Sequence, residues 1–182
     1  CGDENSHVIG GKRKKTNKKD MLTIRCAQSQ IDVDVLSWLL NASKDSFVKA
    51  GFPRNDDLAN STSEDCIKAK ERLGISPSKK VILYMPTWRQ YDLDTFNNIF
   101  FKPPICLETW KEILKKEFVL LIRAHYAVTK SLQIDSEDEF VKNVSDYPFV
   151  NDLYLASDIL ISDYSSAIID YSILERPIFC FA

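Results

Sequence analysis

A parallel, Rossmann-like α/β sheet of the doubly wound type is the fold this sequence predicts, and two observations predict it. KVILYM at 80–85, FVLLIR at 118–123 and DILIS at 158–162 are short, β-prone, largely apolar runs. Strands of that kind suit a sheet covered on both faces. Between and after them lie segments with helical spacing, so strand and helix alternate along the chain, as in a parallel sheet with helical crossovers.

The elements follow in order. The first twenty residues are polar and carry Lys12-Arg13-Lys14-Lys15 and Lys18-Lys19. Such a composition buries too little surface to order itself alone and reads as a solvated tail. Its sharper reading is attraction to an anionic surface or polymer. Residues 22–50 mix alternation with a continuous apolar run and read as one strand or one helix. Residues 1–50 are therefore set apart as a basic, partly disordered segment, and 51–182 as the folded domain. GFPRNDD at 51–57 has the composition of a turn. Ser61 and Glu64 fit a capping box, Cys66, Ile67, Lys70 and Leu73 continue at helical spacing, and Gly74 with Pro77 stops the helix. Leu107, Trp110, Leu114 and Phe118 mark one face of a helix ahead of the second strand. A small strand is expected at 140–144, a helix at 150–156, another at 165–175, and a last strand at 177–181.

Composition narrows the function. A formal charge of −2 and a pI near 5.8 give no basic footprint for nucleic acid. The five cysteines are odd in number, far apart and without a CxxC pair, which points to reduced thiols rather than disulfides or zinc. With two histidines and no clustered cysteines, no transition-metal site is expected. No apolar run approaches the roughly 20 residues of a membrane span, and no signal peptide is visible. A cytoplasmic location is expected, with the basic run as the feature that would hold the chain against a membrane. Walker, GxGxxG, GxSxG and HExxH motifs are absent.

Ligands of parallel sheets bind beyond the carboxyl ends of the strands. That rule selects Pro86-Thr87-Trp88-Arg89, Arg123-Ala124-His125-Tyr126 and Asp163-Tyr164-Ser165-Ser166 as one rim. Ser165 and Ser166 stand at a helix start, where unpaired amides attract an oxyanion and the hydroxyls can donate. Asp163 either caps that helix or accepts from a sugar or glycerol hydroxyl, and helix capping alone would account for Asp163 and Ser165. Arg89 and Arg123 could grip a diphosphate or pair with surface carboxylates. His125 has a structural reading and two chemical ones, as an imidazolium beside phosphate or as a proton carrier. Trp88 is as good a packing residue as a stacking surface.

Five segments, GFPRNDDL (51–58), AKERLGI (69–75), KKVILYMPTWR (79–89), LLIRAH (120–125) and SDILISDYSSAIIDYSILERPIF (157–179), together resemble the CDP-glycerol glycerophosphotransferase family, enzymes that build or prime teichoic acid. The resemblance covers roughly 51–182. It implies a GT-B architecture of two Rossmann domains, of which this chain looks like part of the donor-binding one. It also implies transfer of glycerol phosphate from CDP-glycerol to a hydroxyl of a lipid-linked acceptor with release of CMP and no cofactor. By that likeness Thr87, Arg89, Arg123, Asp163, Ser165 and Ser166 bind the donor, and His125 is the catalytic candidate. The family's general base resembles a histidine in a Trp-His-Gly motif, which is absent here. The chain also stops on a strand, so little turnover is expected of it alone. A nucleotide-sugar transferase and a catalytically silent binding module are the alternatives.

Overall fold

The computed structural model describes residues 24–87, 106–124 and 138–180, which fall into two compact units divided between Pro53 and Arg54. The basic run at 12–19 lies outside the described residues.

In the first unit, β1 (Arg25–Ala27) and β2 (Phe47–Lys49) pair in parallel, with Cys26 opposite Val48. A crossover helix, α1 (Gln30–Leu40), joins them. Ser29 caps its start by accepting from the Asp32 amide, and Asn41 ends it in the left-handed region at φ 51°. This corrects the expectation of a single element at 22–50. The alternation at 31–35 belongs to a helix whose Ile31, Val35 and Trp38 are exposed, so burial does not follow the periodicity there.

The second unit runs α2 (Asp56–Ala59), α3 (Ser63–Arg72), β3 (Lys80–Met85), α4 (Leu107–Leu114), β4 (Phe118–Ile122), β5 (Val141–Asn143), α5 (Val150–Ala156), β6 (Ile159–Ser162), α6 (Ala167–Ser172) and β7 (Ile178–Cys180). Among the described residues its strands form one five-stranded parallel sheet in the order β5-β4-β3-β6-β7. The apolar strands are shared between two cores, as the lack of alternation predicts. Val81, Leu83, Val119 and Leu121 face a cluster with Leu58, Ala69, Leu153 and Tyr171. Ile82, Tyr84, Leu120 and Ile122 face the other side, where Leu107, Trp110, Leu114 and Phe118 pack, the four residues the helical spacing selects.

The capping box stands one residue later than expected. Thr62 accepts from the Asp65 amide and Asp65 accepts from the Thr62 amide at 2.9 Å. Ser61 is already committed to closing α2, donating to the Leu58 carbonyl at 2.8 Å, and Glu64 pairs with Lys68. Gly74 follows α3 at φ 65°, the left-handed conformation that favours glycine.

Lys70 is drawn into the amino end of the sheet. Its ammonium donates to Asp158 at 3.0 Å and to the Lys79 carbonyl at 2.9 Å, while Asp158 also accepts from the Val81 amide. The Lys70 side chain is only 12% exposed, and its loss removes the donor from two partly solvated acceptors, one of them charged. Lys70→Met is expected to cost about 2 kcal/mol, less than for a fully buried pair because Asp158 is partly solvated. Urea midpoints of the two proteins measure it, and equal midpoints would reduce this pair to decoration.

Candidate functional site

Parallel pairing brings the expected rim together. Met85 stands opposite Ser162 and Tyr84 opposite Ile122, so β4, β3 and β6 end side by side and their following turns leave the same edge. The Arg123 amide donates to the Tyr84 carbonyl at 3.0 Å, continuing the ladder past the strand.

The turns after β3 and β6 are fastened by side chains. Ser162 Oγ donates to the Met85 carbonyl at 2.6 Å. Asp163 accepts from the Thr87 amide at 2.9 Å and from the Thr87 hydroxyl at 2.6 Å. Asp163 is 8% exposed, and these bonds satisfy its charge where water hardly reaches. Its carboxylate thus joins two loops. The helix-start role falls instead to Ser165, whose hydroxyl accepts from the Ala167 amide at 3.2 Å, and the N-cap of α6, Ser166, makes no side-chain capping bond. Ser165 is half-buried, Ser166 exposed, and Tyr164 between Asp163 and Ser165 is largely exposed.

Arg123 is oriented rather than loose. One of its guanidinium nitrogens donates to the Tyr147 carbonyl at 2.6 Å and to Val144 at 3.3 Å, which pins the loop after β5 to the end of β4. The same loop is held by Ser145, whose hydroxyl accepts from the Ala124 amide at 3.0 Å and donates to Asn143. Arg89 and His125 lie outside the described residues, as do Trp88 and Tyr126. Thr87, Arg123, Asp163, Ser165 and Ser166 all lie on turns of this one edge.

The loop pinned by Arg123 forms one wall of a cleft of about 680 Å³, lined among others by Arg54, Arg72, Tyr147, Phe149, Asn151 and Asp170. Buried Asp170 accepts from Arg54 at 3.2 and 3.3 Å and from Asn55 at 2.8 Å. Arg72 pairs with Asp152, which also accepts from the Tyr147 hydroxyl. Tyr147 meets Phe149 edge to face at 6.2 Å, and Phe149 is 65% exposed. Asn55 Oδ1 is a buried acceptor without a partner among the described residues. Sequence reasoning read GFPRNDD as a turn and so missed Arg54 and Asn55. The available signal was its two polar side chains beside a proline, but their partner, Asp170, is more than a hundred residues away.

Burial also raises two tyrosines of the core beneath. Tyr154 is pushed up to about 12 by burial and by the nearby Asp170 carboxylate. Tyr171, whose hydroxyl donates to the Ser157 carbonyl, is likewise pushed up to about 12, by burial first.

Fold and rim together define a parallel, Rossmann-like α/β domain of GT-B type, with hydroxyls, a carboxylate and an arginine gathered beyond its strand ends. Comparison with known proteins narrows this class. The model of the CDP-glycerol:poly(glycerophosphate) glycerophosphotransferase family matches residues 3–182, reaching into the first fifty residues where the sequence segments match poorly. The chain belongs to that family. It is 42% identical over 136 residues to a teichoic acid poly(glycerol phosphate) polymerase of Bacillus spizizenii, covering 74% of this chain and 34% of that protein. It is 34% identical over 178 residues to a teichoic acid glycerol-phosphate transferase of Staphylococcus aureus, covering 97% and 44%. The structure of the wall teichoic acid polymerase TagF matches with a TM-score of 0.78 at 32% identity, covering 88% of this chain and 39% of that one. A TagF variant soaked with CDPG matches with the same TM-score. The chain therefore spans between about a third and under half of the length of these relatives.

Proposed function

We propose that this chain supplies the donor side of glycerol phosphate transfer from CDP-glycerol to a hydroxyl of a lipid-linked teichoic acid acceptor, with release of CMP. The observation that carries the reading is the fastened rim, where Asp163 ties Thr87 to the turn that presents Ser165 and Ser166. Family membership and the CDPG-soaked relative support the choice of donor.

In this reading the diphosphate lies over the rim. Ser165 and Ser166 donate hydroxyl hydrogens to phosphate oxygens, and Arg123 sets the loop that borders it. Arg89 and His125 follow Thr87 and Arg123 by two residues in sequence; in this reading Arg89 serves as a further phosphate contact and His125 as an imidazolium against developing charge. The acceptor hydroxyl gives up its proton to solvent and its oxygen bonds to the glycerol-bearing phosphorus as the bond to the CMP oxygen breaks, and CMP leaves with that electron pair. Transfers of this kind depend chiefly on positioning and on stabilised charge. The nucleoside end extends toward the cleft beside Tyr147 and Phe149, the aromatic surface nearest along the loop that Arg123 pins.

Membrane attachment belongs to the same proposal. No helix among the described residues is long and apolar enough to cross a membrane; the basic run Lys12–Lys15 with Lys18-Lys19 is the feature proposed to hold the chain at an anionic membrane surface near a lipid-linked acceptor.

Calorimetric titration of the chain with CDP-glycerol, CDP-ribitol and UDP-glucose tests the reading. CDP-glycerol is expected to bind most tightly, and Ser165→Ala to weaken it by about 1–3 kcal/mol. A preference for UDP-glucose would replace the proposal with nucleotide-sugar transfer.

A further inference from the structure

We propose that a lysine-lined groove at the amino end of the five-stranded sheet is a docking site for a polyol-phosphate chain, separate from the donor rim. The choice of polymer rests on the proposed function; the basic groove itself does not.

The groove measures about 600 Å³ and is walled by the turn before β3, the last turns of α4 and the start of β5. Four lysines line it, Lys79, Lys111, Lys115 and Lys142, against two carboxylates, Asp138 and Glu139, leaving an excess of positive charge. How each charge is used matters more than the count. Asp138 is satisfied internally, since it pairs with Lys111 and accepts from the Phe140 and Val141 amides. Burial opposes its ionisation, but Lys111 and those amides outweigh it and hold the carboxyl below the usual range. Lys79 donates to the Lys115 and Lys116 carbonyls at 2.8 and 2.9 Å, so the negative end of α4 is already neutralised. Lys115 and Lys142 form no ion pair among the described residues, whereas Lys44, Lys68 and Lys70 each have a carboxylate partner. The concavity thus holds two lysines, Lys115 and Lys142, without an ion pair among the described residues, with Glu139 as the one carboxylate beside them that Lys111 does not take.

The ligand this favours is an extended anion with repeated charges. A single phosphate gains little from ammonium groups spread over three elements, whereas a phosphodiester chain meets several at once and releases counterions. The groove lies at the opposite end of β3 from the rim. That strand has six residues, about 20 Å, so a polymer already several units long could occupy it while a donor sits on the rim.

Fluorescence anisotropy of labelled poly(glycerol phosphate) with the 182-residue chain, paired with CDP-glycerol calorimetry, tests the site. The polymer is expected to bind and to weaken several-fold as salt rises from about 50 to about 300 mM. Glycerol phosphate should not compete. The double variant Lys115→Glu/Lys142→Glu should lose about tenfold in polymer affinity with donor affinity unchanged, and Lys115→Gln/Lys142→Gln about threefold should the reversal disturb folding. Unaltered polymer binding by the glutamine variant overturns the site. So does binding to phosphatidylglycerol vesicles without binding to soluble polymer. Loss of donor binding with polymer binding intact would remove the proposed function and leave the groove standing.

Discussion

Asp163→Ala is expected to weaken CDP-glycerol binding at least tenfold and to cost the fold about 3 kcal/mol. The carboxylate accepts two bonds from Thr87, at 2.9 and 2.6 Å, in a setting that is 8% exposed. Removing it leaves an amide and a hydroxyl without their acceptor and frees the turn after β3 from the turn after β6. Bonds to a charged group contribute roughly 1.5–3 kcal/mol each, but the two share one anchor and will not add fully. Asp163→Asn should fall between, because its oxygen still accepts from the Thr87 amide while its amide nitrogen can donate to the hydroxyl oxygen. Chemical denaturation and calorimetry separate the two losses. If Asp163→Ala folds less stably yet binds the donor as tightly as the parent, the tie is structural and the rim is not the donor site.

Alkaline pH should unfold the chain steeply, through Tyr154 and Tyr171. Both phenols are raised from 10.0 to about 12, each by burial before any other cause. Below pH 10 both are neutral in the folded and unfolded chains, and their contribution is fully present. Between pH 10 and about 12 the unfolded chain releases these protons while the folded chain keeps them, so stability falls with rising pH. By about pH 11.5 each raised phenol has lost at most roughly 2 kcal/mol of this contribution, together no more than about 4 kcal/mol. Urea midpoints at about pH 9 and about pH 11.5 measure the loss. Tyr171→Phe should remove roughly half of the pH dependence while lowering stability at neutral pH by about 1 kcal/mol, the bond to Ser157. Ultraviolet titration of the folded chain that showed all phenols ionising near 10 would refute this.

Much of the fold was legible because burial on two faces leaves a local trace. KVILYM and FVLLIR carry apolar side chains on both sides of the strand, and Leu107, Trp110, Leu114 and Phe118 repeat at the spacing that covers one of those sides. The helix at 63–72 was legible in kind and displaced in detail. Whether Ser61 or Thr62 begins it depends on the Leu58 carbonyl, which takes the Ser61 hydroxyl. The region at 22–50 was not legible. Its β1–α1–β2 crossover has three-residue strands and a helix with exposed Ile31 and Trp38, so periodicity and burial disagree.

For the candidate site, the rule about strand ends selected turns that the parallel sheet brings to one edge, since it depends only on where strands stop. It did not assign the work of each side chain. Asp163 read as a cap or a ligand contact and is a brace to Thr87. Arg123 read as a phosphate grip and is also an anchor for the loop at 144–147. The cleft beside Phe149 left only the polar pair at Arg54 and Asn55 as a trace, because its walls come from segments near residues 54, 72, 148 and 170.

In the second unit the order of strands and helices, most of the residues that face inward and the three polar turns were thus written in the sequence, since hydrophobic period and turn chemistry are properties of neighbours along the chain. Which of those polar groups spend their hydrogen bonds on each other, and which still face solvent, was decided only in three dimensions. A carboxylate that meets its partner 76 residues away is satisfied by geometry that no local pattern encodes.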